Sequence, residues 1–171
     1  MDADGLRALQ APLKDRYRAE PAAAKVTLKA QGALDDSAIA CKVETGRAIA
    51  AAGLHPATGG TGMELCSGDM LLEALVACAG VTLSAVATAI GIALRDATIA
   101  AEGDLDFRGT LGVAKEVPVG FQRIRLHATL DTDASEEQLA NLLRLTERYC
   151  VVFQTLAHPP VLSVTRASAQ G

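Results

Sequence analysis

The apolar and polar positions divide the chain into one long, unbroken apolar stretch and several shorter alternating ones. The long stretch runs from Cys66 to Arg95, and between Met70 and Leu94 it holds one formal charge, Glu73. It contains no proline and many small residues, with Asp69 at its front and Arg95 at its back. An acid near the start and a base near the end complement a helix dipole, so the stretch is predicted to be a helix. Two solvents suit it. It meets the roughly 20 apolar residues that a bilayer requires. Glu73, Ala77, Gly80, Ser84, Thr88, Gly91 and Arg95 form a small or weakly polar stripe at helical spacing, which favours close packing in either medium. Flanking Lys/Arg clusters and aromatic belts are missing, which argues against a membrane. A helix apolar on every side is then the core helix of a soluble fold.

The shorter segments supply the rest of the architecture. Residues 5–19 place Leu6, Leu9, Leu13 and Tyr17 on one helical face, and Pro21 ends them. AKVTLKAQG alternates Val26, Leu28 and Ala30, and AIACKVET alternates Ile39, Cys41 and Val43. With the turn residues at 35–37 between them, they predict a hairpin. RAIAAAGL is a further strand candidate, and HPATGGTG is a loop. After Arg95, ATIAAEGDLDFRGTLGVA and FQRIRLHATLD are predicted antiparallel strands joined near Pro118 and Gly120. The second points Ile124, Leu126, Ala128 and Leu130 inward and Arg123, Arg125, His127 and Thr129 outward. Ser135 and Gln138 form a capping box that opens a helix with Leu139, Leu142, Leu143, Thr146 and Cys150 on one face. Pro159-Pro160 breaks the chain before a last predicted strand carrying Leu162 and Val164. Runs of strands separated by helices indicate an α+β domain. The expected organisation is a helical extension over 1–20 and one domain over 21–171. A single domain of this size does not readily cover an all-apolar helix, so a homodimer that buries it is expected.

Composition narrows the functional classes. With 171 residues, half of them apolar, the chain can bury one good core. Five aromatic residues and no tryptophan leave that core to Ala, Val, Leu and Ile. A net charge of -4 provides no basic footprint for nucleic acid, and stacking platforms for single strands are missing. The N-terminal MDADGLRALQ is unlike a secretory signal. Four cysteines without such a signal favour reduced thiols in the cytoplasm. Cys41, Cys66, Cys78 and Cys150 contain no CxxC and no zinc spacing, and no metal or cofactor is expected. The HPATGGTG loop lacks the Gly-Lys-Ser/Thr ending of a phosphate loop. ELCSGD is not a nucleophile elbow, so Ser67 belongs to a helix start. His127 shares a polar face with two arginines and is expected in solvent. Cys41, on an apolar strand face, is expected as a small core residue.

Cys78 and Cys150 remain. Cys78 sits near the middle of the long helix, with Ala74, Thr82 and Ala85 along its face, and Cys150 ends the later helix on its inward side. The segment GDMLLEALVACAGVTL resembles the first-cysteine helix of the OsmC/Ohr family, the osmotically inducible and organic-hydroperoxide-resistance proteins. ERYCVVFQTL resembles that family's second-cysteine motif, and GDLDFRGTLGV with the Gly120-Phe121 turn resembles its middle section. The resemblance spans roughly residues 25 to 166.

The resemblance implies an intertwined α+β homodimer, with antiparallel sheets wrapped around long central helices. It implies a two-cysteine thiol peroxidase acting on alkyl or lipid hydroperoxides in oxidative-stress defence. Cys78 corresponds to the reactive cysteine and Cys150 to the resolving one. The chemistry is a thiolate attack on a peroxide oxygen to give a sulfenic acid, condensation with the second thiol, and reduction by a dithiol such as a lipoyl group. The apolar surroundings of Cys78 suit an apolar peroxide. Several positions depart from the family pattern. Gly68 stands where the family has a glutamate, with Asp69 beside it, and Val151 stands where it has a proline. In the family that glutamate holds an arginine against the reactive sulfur; Arg16, Arg18 and Arg47 of the N-terminal part are candidates for it here, and none matches a motif. Cys66 has no counterpart and is either another resolving thiol or a bystander. Two other readings stand beside the enzyme: a non-catalytic protein holding a small lipophilic ligand, and four cysteines that serve only as core residues.

Overall fold

The computed structural model describes residues 2–5, 7–8, 10–11, 19–20, 31–34, 40–44, 49–112 and 114–166, and for 31–34, 40–44 and 49 the backbone alone. At the N-terminus residues 3–5, 7, 8, 10 and 11 are helical, and Asp2 Oδ1 accepts from the Gly5 amide. The apolar face read from Leu6, Leu9, Leu13 and Tyr17 lies outside the described residues, as do Val26, Leu28, Ala30, Ile39 and the turn at 35–37.

The first sheet has the order β1-β2-β3-β4, from β1 Gln31–Leu34, β2 Ala40–Glu44, β3 Ile49–Gly53 and β4 Leu65–Cys66. β1 and β2 pair antiparallel, with Leu34 opposite Cys41; β1 begins at Gln31, near the end of the predicted first strand, whose alternating positions are among the residues not described. β3 extends it antiparallel, and the two-residue β4 joins β3 in parallel. The loop between β3 and β4 contains a 3-10 turn at Pro56–Thr58, where His55 Nδ1 accepts from the Ala57 amide.

β4 runs straight into the long helix α1, Ser67–Ile90. Asp69 lies in its first turn, as the dipole favours. It ends five residues earlier than the apolar pattern suggested. Gly91, at φ 75, adopts the left-handed conformation that glycine takes without a Cβ penalty. Its amide donates to Thr88 O, and that of Ile92 to Ala87 O, which closes the helix as a Schellman motif. Ile92 then packs with Ala87, Leu83 and Leu142. Arg95 is therefore no helix-end base. It reaches Asp131 and Asp133, each at 2.6 Å, and pins the chain to the far end of the second sheet.

That sheet pairs β5, Asp96–Asp104, with β6, Arg123–Asp131, in antiparallel register with Ala101 opposite Leu126. Ile99, Ala101, Ile124 and Leu126 pack toward α1, whereas Arg125 faces out and bridges Glu102 and Asp104. Ala128 lies on the same inward face as Leu126, where it borders an apolar cavity and so remains exposed. β5 stops ten residues short of the predicted strand because Asp106 caps a short helix, α2 Phe107–Thr110, by accepting from the Arg108 amide. Phe121 then returns over Gly103: a Cβ there would come within 2.3 Å of the Phe121 ring.

The expected capping box opens α3, Glu136–Tyr149. Ser135 Oγ accepts from the Gln138 amide at 3.3 Å, and Gln138 Oε1 accepts from the Ser135 amide at 2.9 Å. α4, Val151–Ala157, follows at once. Both helices pack on α1. Leu75, Ala79, Leu83 and Ala87, spaced four apart, are the buried stripe of α1. Fully burying a leucine such as Leu142 or Leu75 is worth about 1.5–3 kcal/mol, so this stripe anchors the domain.

α1 is long and apolar enough to cross a membrane, and the described residues leave part of it uncovered, in line with the expectation for a single domain of this size: Val81 is 73% exposed. One expectation changes: the closing strand does not form, since 159–166 has no regular secondary structure, and Val161 and Val164 are fully exposed.

Candidate functional site

Each site thiol is positioned by a helix. Cys78 lies on α1 between Leu75 and Ala79, both buried, and is itself half-buried. Thr82 is one turn further on, at the i+4 spacing that puts two side chains on the same face. Cys150 is the hinge between α3 and α4, with φ -73 and ψ 110 in the extended region. Its amide still donates to Thr146 O at 2.9 Å, closing α3. Its carbonyl accepts from the Gln154 amide at 2.9 Å, opening α4. The break frees the first amides of α4 from any obligation to α3. The Gln154 side chain reaches back to cap Glu147 O at 2.8 Å.

Cys150 is only 1% exposed and packs with Leu75, Ala79 and Cys78 in one apolar cluster. The two thiols read from the sequence are thus brought together in one packed cluster. Their environments differ in sign. Burial pushes the Cys78 thiol up, but the Val152 amide, the Cys150 thiol, the Val151 amide and the Thr82 hydroxyl favour its thiolate and together hold it below the ordinary cysteine value. Burial pushes Cys150 up, and the neighbouring Cys78 sulfur pushes it further, with only partial relief from the Phe153 and Val152 amides. Cys78 is therefore the thiol readier to ionise, and Cys150 holds its proton. Among the described residues, the groups that lower Cys78 are all uncharged. Arg16, Arg18 and Arg47, the candidate activating cations, lie outside the described residues.

The sequence reading missed the amides of Val151 and Val152. A backbone donor leaves no residue signature, and the only clue was an inward cysteine followed by a change of helix. The apolar pocket also differs from expectation. A cavity of about 270 Å³ lies between α1, the β5–β6 sheet and α3, lined by Leu83, Ile99, Leu126, Leu143 and Phe153 among others. It touches Cys150, not Cys78. Leu143, expected inward, is 40% exposed at this cavity.

The remaining candidates fall elsewhere. Cys66 is the N-cap residue of α1, 12 positions before Cys78 and so about 18 Å from it along the axis. It lines a separate hollow of about 350 Å³ with Leu105, Phe107 and Phe121, so within one chain it is a bystander to the thiol pair. Gly68 faces Phe121, Cys66 and Leu105 at ordinary contact distances. His127 is exposed on the outer face of β6. The side chain of Cys41 is outside the described set.

With this geometry in place, comparison with known proteins is decisive about ancestry. The family model described as OsmC-like protein matches residues 60–165, which include α1, both thiols and the β5–β6 sheet. The chain belongs to the OsmC-like family. Solved OsmC-like structures share its fold at low identity. An OsmC-like protein from Mycoplasma pneumoniae superposes with a TM-score of 0.65 at 17% identity, covering 79% of this chain and 90% of that one. An organic hydroperoxide resistance protein OsmC from Legionella pneumophila gives 0.61 at 17% identity, covering 78% and 93%. An organic hydroperoxide resistance protein from Elizabethkingia anophelis gives 0.63 at 14%, covering 79% and 92%. No curated protein matches the sequence. At these identities the solved structures speak for the α+β fold, with its small sheets and long central helix.

Proposed function

We propose that this OsmC-like protein is a thiol peroxidase that reduces alkyl or lipid hydroperoxides. The observation that carries the reading is the juxtaposition of Cys78 and Cys150 with opposite thiol shifts. The names of the Legionella and Elizabethkingia proteins are consistent with it. The Cys78 thiolate attacks the terminal peroxide oxygen. An S–O bond forms, the O–O bond breaks, and the leaving alkoxide takes a proton to become the alcohol. The Cys150 thiol, packed beside Cys78, gives that proton in this proposal. The neighbouring Cys78 sulfur helps hold the proton on Cys150, and that influence ends when Cys78 becomes a neutral sulfenic acid. Cys150 is therefore easiest to ionise at the moment it must attack. Its attack forms the disulfide and releases hydroxide. A dithiol, such as a lipoyl group, reduces the disulfide by exchange.

The working form in this proposal is a cytoplasmic homodimer. Its second copy covers the exposed apolar positions Leu71 and Val81 of α1 and the Val161–Val164 tail. Sedimentation at micromolar concentration without detergent tests it, and a monomer refutes it.

The enzyme is tested by thiol titration with stoichiometric cumene hydroperoxide. Two thiols lost per chain within seconds are expected, with no rapid thiol loss in Cys78→Ser. Cys150→Ser is expected to consume one equivalent and stop at the sulfenic acid or over-oxidise. No thiol loss over hours refutes the peroxidase. The apolar cavity beside Cys150 supports the second reading, a carrier of a small lipophilic ligand, which a co-purified lipid seen by mass spectrometry would favour.

A further inference from the structure

We propose that Gln154 is a positioning residue for the thiol pair: its side-chain amide takes the Glu147 carbonyl that the Val151 amide would otherwise claim, and so holds open the break between α3 and α4. Its role in the reaction rests on the peroxidase reading, but its action on Cys78 is measurable without any peroxide.

The break is confined to one residue. A helix continuing through Cys150 would bond the amides of Val151, Val152 and Phe153 to the carbonyls of Glu147, Arg148 and Tyr149. None of these three bonds is present among the described residues. The bonds on either side of them survive. The Cys150 amide donates to Thr146 O and the Gln154 amide to Cys150 O, each at 2.9 Å. A single torsion accounts for the difference. Cys150 keeps φ -73, within the helical range, while its ψ is 110 where a helix has about -42. One rotation thus separates the observed hinge from an unbroken helix.

A sharp break in a helix needs a proline, a glycine or a group inserted into its hydrogen-bond ladder. The segment from Glu147 to Gln154 contains neither proline nor glycine. Gln154 supplies the inserted group. Its Nε2 donates to Glu147 O at 2.8 Å, on the acceptor that Val151 would use. Among the described residues the carbonyls of Arg148 and Tyr149 take no protein donor, so the Glu147 contact is where a side chain recognises the broken form. On the thiol side of the hinge, Val152 and Phe153 pack against the cluster that holds Cys78 and Cys150. The freed amides act there. Those of Val151 and Val152 favour the Cys78 thiolate, and those of Phe153 and Val152 partly relieve Cys150. A straight helix would return all three amides to its own carbonyls and leave both sulfurs without them.

Site-resolved iodoacetamide alkylation of Cys78 against pH tests this in four chains: the parent, Gln154→Met, Val151→Pro and the double variant. Methionine has nearly the length of glutamine, cannot donate and changes no charge, so a moved profile is not a Coulombic effect. Gln154→Met is expected to slow Cys78 alkylation below neutral pH about threefold and to carry its profile to higher pH, because the closing helix withdraws the amides. In the Val151→Pro chain no amide is left at 151 to claim Glu147 O. The proline ring also clashes with the carbonyl four residues back, so the helix cannot close. Adding Gln154→Met there is expected to leave the Val151→Pro profile unmoved. Gln154→Ala, which removes the stem with the donor, is expected to match Gln154→Met in both backgrounds.

A Gln154→Met profile that superposes on the parent overturns the inference. So does a shift of equal size in both backgrounds, since a side chain that merely stabilises α4 would act whether or not Val151 has an amide. Consumption of cumene hydroperoxide is followed in the same chains. A parent that consumes none refutes the peroxidase reading, and the alkylation profiles still decide the role of Gln154.

Discussion

Oxidation should stabilise this protein by several kcal/mol, because Cys78 and Cys150 are already neighbours in the folded state and far apart in the chain. Linking them closes a loop of about 70 residues in the unfolded ensemble, and the chain-entropy relation puts the stabilisation near 4.4 kcal/mol at 25 °C. Native strain subtracts from this figure. The strain is expected to be small, because the thiols already pack in one cluster and Cys150 sits at an extended hinge between two helices. We expect 3–4 kcal/mol, about the low side of that relation, to survive. Urea denaturation at fixed protein concentration measures it, with fully reduced and fully oxidised samples compared. At a slope of about 2 kcal/mol/M, the midpoint should rise by about 1.5–2 M on oxidation. The slope should fall slightly, since the cross-linked unfolded state exposes less surface. Peptide mapping must confirm the Cys78–Cys150 link, because Cys66 would close a loop of similar length. Cys78→Ser should show no shift. A mapped Cys78–Cys150 disulfide that leaves the midpoint unmoved, or lowers it, would mean that the folded chain must distort to form the bond. The juxtaposition on which the peroxidase proposal stands would then be wrong.

Three shorter predictions follow from the same packing. Site-resolved iodoacetamide labelling against pH should show Cys78 ionising below, and Cys150 above, the ordinary value of a free cysteine. In stability terms, the Cys78 contribution is present above the unfolded value and lost as pH falls through the lower folded one. That of Cys150 is present below the unfolded value and lost as pH rises through the higher folded one. The reverse labelling order would refute both assignments. Leu142→Ala, at a position with no exposed surface, should destabilise by about 2–5 kcal/mol in the same urea assay, and a loss under 1 kcal/mol would deny the α1–α3 core. Gly80→Ala, whose new methyl group meets nothing nearer than Ile99 at 3.8 Å, should stabilise α1 by about 0.5–1 kcal/mol. Gly103→Ala should instead destabilise, since its methyl would overlap the Phe121 ring. Equal effects from the two would contradict the placement of Phe121.

What was legible in the sequence was what side-chain pattern alone can carry. The apolar run of α1, the alternation of β6 and the Ser135–Gln138 box each announce a local structure through residue type. The errors fall where a long-range or backbone term decides. α1 stops at Gly91 because a Schellman closure competes with further helix, and the apolar Ile92 and Leu94 beyond it hid that stop. The predicted closing strand at Leu162 and Val164 has the right alternation, but a strand also needs an edge to pair with, and none is paired to it here. Cys78 and Cys150 could be named as candidates, while their opposite shifts could not. Those depend on which amides the hinge at Cys150 releases, and on a cavity assembled from α1, α3 and the second sheet.

That hinge also yields a test that separates structure from reactivity. Val151 begins α4, where a proline is tolerated because the first amides of a helix have no partner within it. Cys150, the preceding residue, already has φ -73 and ψ 110, close to the extended backbone that a following proline demands. The Val151 side chain is 70% exposed, and its carbonyl, which accepts from Thr155 Oγ, would be retained. Val151→Pro should therefore keep the fold and leave stability unchanged or raised by up to about 1 kcal/mol, through the stiffer unfolded chain. It also deletes one of the donors that favour the Cys78 thiolate. A hydrogen bond to a charged group contributes about 1.5–3 kcal/mol. Cys78 is half-buried and keeps its other donors, so a loss of about 1 kcal/mol is the reasonable expectation. Below neutral pH, alkylation of Cys78 should slow about two- to threefold, because a smaller thiolate fraction is partly offset by the greater nucleophilicity of a more basic sulfur. On the alkaline plateau the same variant should react faster than the parent, so the two pH profiles cross. A merely loosened site would expose the sulfur and shift the whole profile in one direction. Profiles that superpose would show that the Val151 amide has no part in activating Cys78.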